Sequence, residues 1–260
     1  MVSKKMLFAL LWFAGMMGIL SLLWINLPIP EGDLPLPVIK LLNLISPTFL
    51  LSIAVLAGVN LAPQVGFSAP FAEAIASGSS QKLAVIQAQV IPGLLGGVLG
   101  AVVISVWSLV WKPSLPSDFL TKIDQLSKGT PLLTRLLYGG ITEEIMLRWG
   151  LLTVLVWLLW RFLQKAEGTP NVKYVVLAIT ISALIFGLGH LPLVFALSPQ
   201  VTTPLTIYIV AGNTLFGLIA GYLYWQKGLE SAMIAHIVFH VVISNYKFKS
   251  YQLIQKLSTS

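Results

Sequence analysis

The stretch that decides the fold is TPLLTRLLYGGITEEIMLRWGLLTVLVWLLW, residues 130–160. Two acidic residues, Glu143 and Glu144, stand side by side in this run, which is otherwise apolar enough for a membrane. The histidines of the chain also fall in or at the ends of apolar runs: His190, His236 and His240. Ionisable side chains at membrane depth are costly, so they usually have partners and a function. The sequence therefore predicts a polar reaction centre inside a membrane domain.

Composition places the whole chain in the membrane. The hydrophobic fraction is 57% and only 10% of residues are charged, and the mean hydropathy is +0.88. A soluble domain of this length does not need so much apolar surface, so residues 1–260 are predicted to form one integral-membrane domain. The net charge of +7 comes from basic residues at the ends of apolar runs. That placement predicts membrane lipid as a partner and argues against nucleic acid. The absence of cysteine excludes disulfides, thiolate zinc sites and a cysteine nucleophile.

The apolar runs predict an all-α, polytopic transmembrane bundle of seven or eight spans. The region 132–163 is too long for one untilted span of about 20 residues, so it is either one long bent helix or two helices divided at Gly150. Lysines near both ends favour cytoplasmic termini, which requires an even number of spans and favours eight. We expect a multi-pass protein of the plasma membrane. The predicted spans are 6–27, 39–61, 90–111, 132–163, 173–190, 205–225 and 229–246, with a Pro-rich linker at 28–37 and a charged loop at 112–131.

The spacing of the acidic motif separates its two glutamates. Glu144 and Arg148 are four residues apart with the acid first, the favoured order for an ion pair within a helix. Glu143 faces about 100° away and has Leu147 as its neighbour one turn later. An unpaired carboxyl away from water suits a general base or acid. We therefore predict that Glu143 is catalytic and that Glu144 and Arg148 are supporting residues.

The histidines follow two patterns. His190 ends the sequence FGLGH, four residues after Phe186. His236 and His240 are four residues apart in AHIVFH, so their imidazoles share one helix face. That spacing can bind a metal, as in the zincin helix. Ile237 stands where the zincin motif has a glutamate, so the zincin match fails. Asn213 is a further polar residue in an apolar run; it could line the same cavity or bond one helix to another, and we favour the second.

Three motifs together resemble a known family. EEIMLR, FGLGH and HIVFH occur in this order, each in a separate hydrophobic segment, and resemble the EExxxR, FxxxH and HxxxN/D motifs of the CAAX protease and bacteriocin-processing (CPBP, or Abi) family. This family includes the type II CAAX prenyl endopeptidases. The resemblance covers a motif-bearing core of about residues 132–246. The first third of the chain is recognisable only as membrane helices.

The resemblance implies an α-helical intramembrane endopeptidase that acts on a peptide or a membrane-anchored protein. By carry-over, Glu143 and His190 would activate a water, and His236 and His240 would stabilise the oxyanion. Glu144 and Arg148 would hold the motif helix. His240 stands where the family usually has Asn or Asp; an imidazole N–H can also donate to an oxyanion.

Two questions stay open at this stage. We favour a metal-free glutamate protease without a cofactor. The alternative is a Zn²⁺ enzyme with His190, His236, His240 and Glu143 as ligands. For function, the alternatives to a protease are a non-catalytic membrane scaffold or immunity protein of the same family, and a proton-coupled transporter with a Glu/His relay. The transporter is the weakest alternative, because the sequence has no visible inverted repeat.

Overall fold

The computed structural model describes residues 2–25, 35–198 and 201–258, with side chains as far as residue 245. These residues form helices and no strand, so the predicted all-α class is confirmed. Most of the predicted linker at 28–37 lies outside the described residues. The helices are α1 Lys4–Ser21, α2 Leu36–Leu42, α3 Ile45–Leu61, α4 Pro70–Ala76, α5 Lys82–Trp111, α6 Ser117–Gly129, α7 Leu132–Leu163, α8 Val172–Leu188, α9 Leu191–Leu197, α10 Thr203–Lys227 and α11 Leu229–Ser258.

The helices have the length and composition of a polytopic membrane protein. Within the described residues, six helical stretches are long and apolar enough to cross a membrane, and Leu229–Asn245 of α11 is a shorter apolar helix. The predicted polytopic bundle is therefore confirmed. The six stretches are Lys4–Trp24, Leu36–Val65, Lys82–Ser114, Leu132–Leu163, Val172–Leu197 and Thr203–Lys227.

The favoured count of eight spans is wrong, because it required α7 to divide at Gly150. Helix α7 runs without a break from Leu132 to Leu163. Gly150 is used for close packing instead: a Cβ there would lie 2.8 Å from the Cα of Ala54 on α3. The apolar helices of the described residues therefore number seven. Seven crossings would put the chain ends on opposite sides of the membrane, so the argument for two cytoplasmic ends loses its basis.

Helix α7 carries the acidic motif and packs against α1, α3 and α11. Thr142 Oγ1 donates to the Gly15 carbonyl on α1 at 2.7 Å. Trp149 is fully buried, and its indole fills the space that the missing side chain of Gly58 leaves on α3. Since other helices pack around this part of α7, Glu144 and Arg148 are held inside the bundle and away from lipid.

Helix α5 packs closely on the C-terminal helices through small residues. Gly93 and Gly97 face Ile234 and Val238 of α11, where a Cβ would lie 2.6 Å from the neighbouring Cβ atoms. Small residues allow such close helix contacts in lipid. The opposite face of α5 is exposed, as at Leu95. The helix also begins at Lys82, eight residues before the predicted span.

The segment predicted as a charged loop contains a helix, α6. The prediction was wrong because its apolar residues recur at helical spacing: Phe119 is buried, and Leu120, Ile123 and Leu126 pack beside it. They lie against α9 and α10 through Val194, Leu197 and Leu205. Charged and other polar residues, with one glycine, occupy the remainder of α6. This amphipathic helix therefore covers the bundle next to the start of α7.

Candidate active site

One cavity of about 370 Å³ opens among α5, α7, α8, α9, α10 and α11. Its wall is mostly apolar and aromatic, with contributions from Trp107, Phe216 and Phe239. The structure brings the sequence-predicted catalytic residues together here, since all of them line this cavity: Glu143, His190, His236 and His240.

The two adjacent glutamates have different surroundings. Glu143 is half-buried and lines the cavity. Within the described part of the chain it has no hydrogen-bond or ion-pair partner. Glu144 is fully buried and accepts from two side chains: Arg148 Nε at 3.1 Å and His236 Nδ1 at 2.8 Å. The acid in the cavity is thus free to bind a ligand, while the buried acid is occupied.

Arg148 completes the buried pair. Its side chain has no solvent exposure, and only Nε donates to Glu144; Nη1 and Nη2 have no partner among the described residues. The Cζ atom lies 5.5 Å from the centre of the Phe186 ring, a cation–π contact. The ion pair expected from the four-residue spacing forms, and it also supports α8 through Phe186.

His190 is held by the same phenylalanine. Its Nδ1 lies 2.8 Å from the Phe186 carbonyl oxygen, and a carbonyl can only accept, so Nδ1 carries the proton. The two rings meet edge to face, with centroids 4.8 Å apart. In the neutral imidazole, Nε2 then holds a lone pair. His190 can therefore accept a hydrogen bond or a proton at Nε2.

His236 and His240 stack with ring centroids 4.8 Å apart and planes inclined by 18°. Their Nε2 atoms point at Gly139 of α7, where a Cβ would lie 2.6 Å from His240 Nε2 and 3.5 Å from His236 Nε2. Because His236 Nδ1 donates to Glu144, a neutral His236 can only accept at Nε2. It can donate to an oxyanion only as the imidazolium. No hydrogen bond fixes the tautomer of His240 within the described residues, so a neutral His240 can donate.

The helix that carries the acids is π-helical here. Arg135–Glu143 and Ile145–Leu152 are π-helical segments on either side of Glu144. Hydroxyls reach carbonyls five residues earlier, from Thr142 to Leu137 at 3.3 Å and from Thr153 to Arg148 at 3.2 Å. Such widened turns are rare and frequently occur at functional sites.

The comparisons with known proteins bear on this motif-bearing region. Residues 127–242 match the family model described as type II CAAX prenyl endopeptidase Rce1-like. This region belongs to the CAAX protease family. The match spans all three motifs, so the sequence-based recognition is confirmed. No curated protein and no solved structure matches the chain. The match supports a CAAX-type intramembrane protease at the level of the family, and the apolar helices support an integral multi-pass membrane protein.

The zinc alternative, with His190, His236, His240 and Glu143 as ligands, stays untested. Within the described residues, no group of three or more His, Cys, Asp or Glu side chains could hold a metal ion. His190, His236, His240 and Glu143 share the cavity without forming such a group. We therefore derive no step through a metal, and metal dependence stays a prediction to be tested.

Sequence reasoning missed polar residues of the cavity that include Arg135 and Tyr138. Arg135 and Tyr138 precede Glu143 by eight and five residues, so the acidic motif and a five-residue helical spacing could have indicated Tyr138. Asn213 was expected to bond between helices. Instead, its Nδ2 donates to the Ile209 carbonyl of its own helix at 2.8 Å, and the residue lines the cavity.

Proposed function

We propose that this chain is an endopeptidase that hydrolyses a peptide bond at or within the bilayer, with a water activated by Glu143 and His190. The observation that carries the proposal is the pair of free acceptors in one cavity. Glu143 has no partner among the described residues, and the proton on His190 Nδ1 leaves Nε2 open towards a ligand. A water held by both acceptors would be oriented and made a better nucleophile.

The reaction follows from these positions. Glu143 takes one proton from the water, and the oxygen of that water bonds to the peptide carbonyl carbon. His190 Nε2 accepts a hydrogen bond from the second hydrogen of the water. The carbonyl oxygen becomes an oxyanion, to which His240 Nε2–H donates; His236 adds a second donor when it is protonated beside Glu144. Glu143 then gives its proton to the peptide nitrogen as the C–N bond breaks. General acid–base catalysis of this kind contributes about 10²–10⁴-fold, and removing one oxyanion donor costs about 10²–10³-fold.

The cavity wall indicates the kind of substrate. Ile104, Trp107, Leu193, Phe216 and Phe239 give it a largely apolar surface, which suits a hydrocarbon chain beside a peptide. The matched family model describes prenyl endopeptidases. We therefore propose a lipid-modified peptide as substrate, with the hydrocarbon against these side chains and the scissile carbonyl near Glu143. The favoured chemistry is of the glutamate type, without metal.

The test is cleavage by the purified protein in phosphatidylcholine vesicles. A farnesylated peptide with a CAAX end is incubated in ¹⁸O-water, with and without a chelator, and its products are analysed by mass spectrometry. We expect cleavage with one ¹⁸O in the new carboxyl group, at a rate that the chelator does not change. His190→Ala should lower this rate by at least about 10²-fold. Glu167→Gln, which changes an exposed acid outside the cavity, should not lower it and serves as the control.

Two outcomes contradict the proposal. Failure of the folded wild type to cleave lipid-modified or unmodified peptides would favour the non-catalytic scaffold. Stoichiometric zinc in the purified protein, with activity lost on chelation and restored by zinc, would overturn the metal-free chemistry.

A further inference from the structure

The cavity contains a strong cation that the proposed chemistry does not use. Arg135 is the only lysine or arginine among the described residues that line it. The side chain is half-buried, and no carboxylate of the described residues lies within ion-pair distance. Its partners are uncharged: Nη1 donates to Ser244 Oγ at 3.2 Å, and Nη2 donates to the carbonyls of Ser127 and Thr130.

The guanidinium has donors left for a ligand. It carries five N–H groups in a planar fork, and the contacts to Ser244, Ser127 and Thr130 use three of them. A half-buried cation without a counter-ion attracts an anion more strongly than an exposed one, because the surroundings screen it less. The two donors that remain, Nε–H and one Nη1–H, can each give a charge-assisted hydrogen bond to a carboxylate. Arg135 is thus prepared for a carboxylate that enters the cavity.

Two helices give the distance from Arg135 to the proposed reaction centre. On α7, Arg135 precedes Glu143 by eight residues, which is less than about 12 Å, the α-helical value, because this segment is π-helical and rises less per residue. On α11, the contact residue Ser244 follows His240 by four residues, one turn or about 6 Å. An extended peptide advances about 3.3 Å per residue. A carboxylate at Arg135 would therefore lie about two to four residues from the scissile bond.

We propose that Arg135 binds the C-terminal carboxylate of the peptide substrate and thereby selects the bond that is cleaved. This inference rests on the proposed protease function. We favour a chain end over an acidic side chain within a longer peptide, because the carbonyls of Ser127 and Thr130 occupy one side of the guanidinium and a chain end needs space on one side only. Arg135 is then a specificity residue, while Glu143 and His190 perform the chemistry.

A purely structural role of Arg135 would change peptide cleavage in a different way. The carbonyls that Arg135 contacts belong to the end of α6 and the turn after it, so the side chain also holds α6 in place. Loss of that support would lower the cleavage of every peptide alike. Loss of a carboxylate subsite would lower only the cleavage of peptides that end in a free acid.

The experiment compares two farnesylated peptides of identical sequence, one with a free C-terminal carboxylate and one with a C-terminal amide. Values of kcat/KM are measured for the purified wild type, Arg135→Gln and Arg135→Lys in phosphatidylcholine vesicles. The matched control is Arg161→Gln, which removes an exposed arginine from the same helix outside the cavity. We expect the wild type and Arg161→Gln to prefer the free acid by at least about tenfold, as expected for a hydrogen bond to a charged group.

Arg135→Gln should abolish the preference, so that this variant cleaves the free acid and the amide with equal kcat/KM. Arg135→Lys, which keeps the charge but has fewer donors, should retain an intermediate preference. Equal cleavage of both peptides by the wild type would overturn this inference alone and needs no folded variant. An equal loss for both peptides in Arg135→Gln would also overturn it, in favour of the structural role. Absence of any cleavage by the wild type would overturn the protease proposal and this inference with it.

Discussion

Two faces of α7 differ in whether their charged side chains have partners. The inner face holds Glu144 and Arg148, both fully buried, with His236 as a further partner of the acid. The cavity face holds Glu143, one residue earlier, half-buried and without a partner among the described residues. Adjacent residues of the helix therefore differ: Glu144 belongs to an ion pair, whereas Glu143 is open to a ligand.

This difference shows how a membrane protein can keep an unpaired carboxyl in place. The inner pair fixes α7 against α8 and α11 through Phe186 and His236, so the position of Glu143 does not depend on bonds of its own. A preorganised group is more effective than one that must be ordered during the reaction. The two faces should therefore respond differently to substitution, in activity on one side and in stability on the other.

The largest expected effect is the loss of activity in Glu143→Gln. The amide keeps the size of the side chain but cannot take a proton, so the rate of peptide cleavage should fall by about 10²–10⁴-fold. Since Glu143 makes no ion pair in the described structure, the free energy of unfolding should change by less than about 0.5 kcal/mol. Activity and thermal unfolding are measured on the same preparation. Near wild-type activity in this variant would show that Glu143 is not the base.

On the inner face, Glu144→Gln should destabilise the fold. It leaves Arg148 charged, fully buried and without its counter-ion, which costs about 3–5 kcal/mol when a buried pair is broken. The double variant Glu144→Gln/Arg148→Met removes both charges and should unfold at a higher temperature than the single variant. The thermal unfolding temperatures of both variants are measured in detergent. A single variant as stable as the wild type would mean that the buried pair contributes little.

The third expected effect concerns His240. His240→Ala removes the oxyanion donor and should lower activity by about 10²–10³-fold, whereas His240→Asn supplies an amide N–H and should stay within about tenfold of the wild type. Bound metal is measured on the same samples. Zinc in the wild type that is lost together with activity in His240→Asn would show that His240 is a ligand and not a donor.

The smallest expected effects come from a Gly→Ala substitution made once on each face of α7. In Gly139→Ala the new methyl would lie 2.6 Å from His240 Nε2, so the imidazole must move, and activity should fall roughly tenfold while stability changes little. In Gly150→Ala the methyl meets the backbone of Ala54, which cannot move as easily, so stability should fall by about 1–3 kcal/mol. The opposite pattern, a stability loss in Gly139→Ala alone, would contradict this assignment of the faces.

The sequence predicted those features that depend on neighbours in the chain. The membrane class follows from apolar run length, and the Glu144–Arg148 pair follows from a four-residue spacing. The second partner of Glu144 could not be predicted, because His236 lies 92 residues later and meets it only through the packing of α11 on α7. The π-helical segments were missed because an α-helical period was assumed throughout. Gly150 was misread because glycine has two uses: its lack of a side chain can end a helix, and it can also permit close contact between helices.

His236 is the side chain that belongs to both faces. Its Nδ1 touches the buried carboxylate of Glu144, and the residue also lines the cavity, towards which its Nε2 is directed beside Gly139. An imidazole can gain a proton at one nitrogen while it releases one at the other. The ring of His236 therefore connects the buried acid to the cavity, with one nitrogen on each side. A substitution at His236 would reach both the buried ion pair and the cavity.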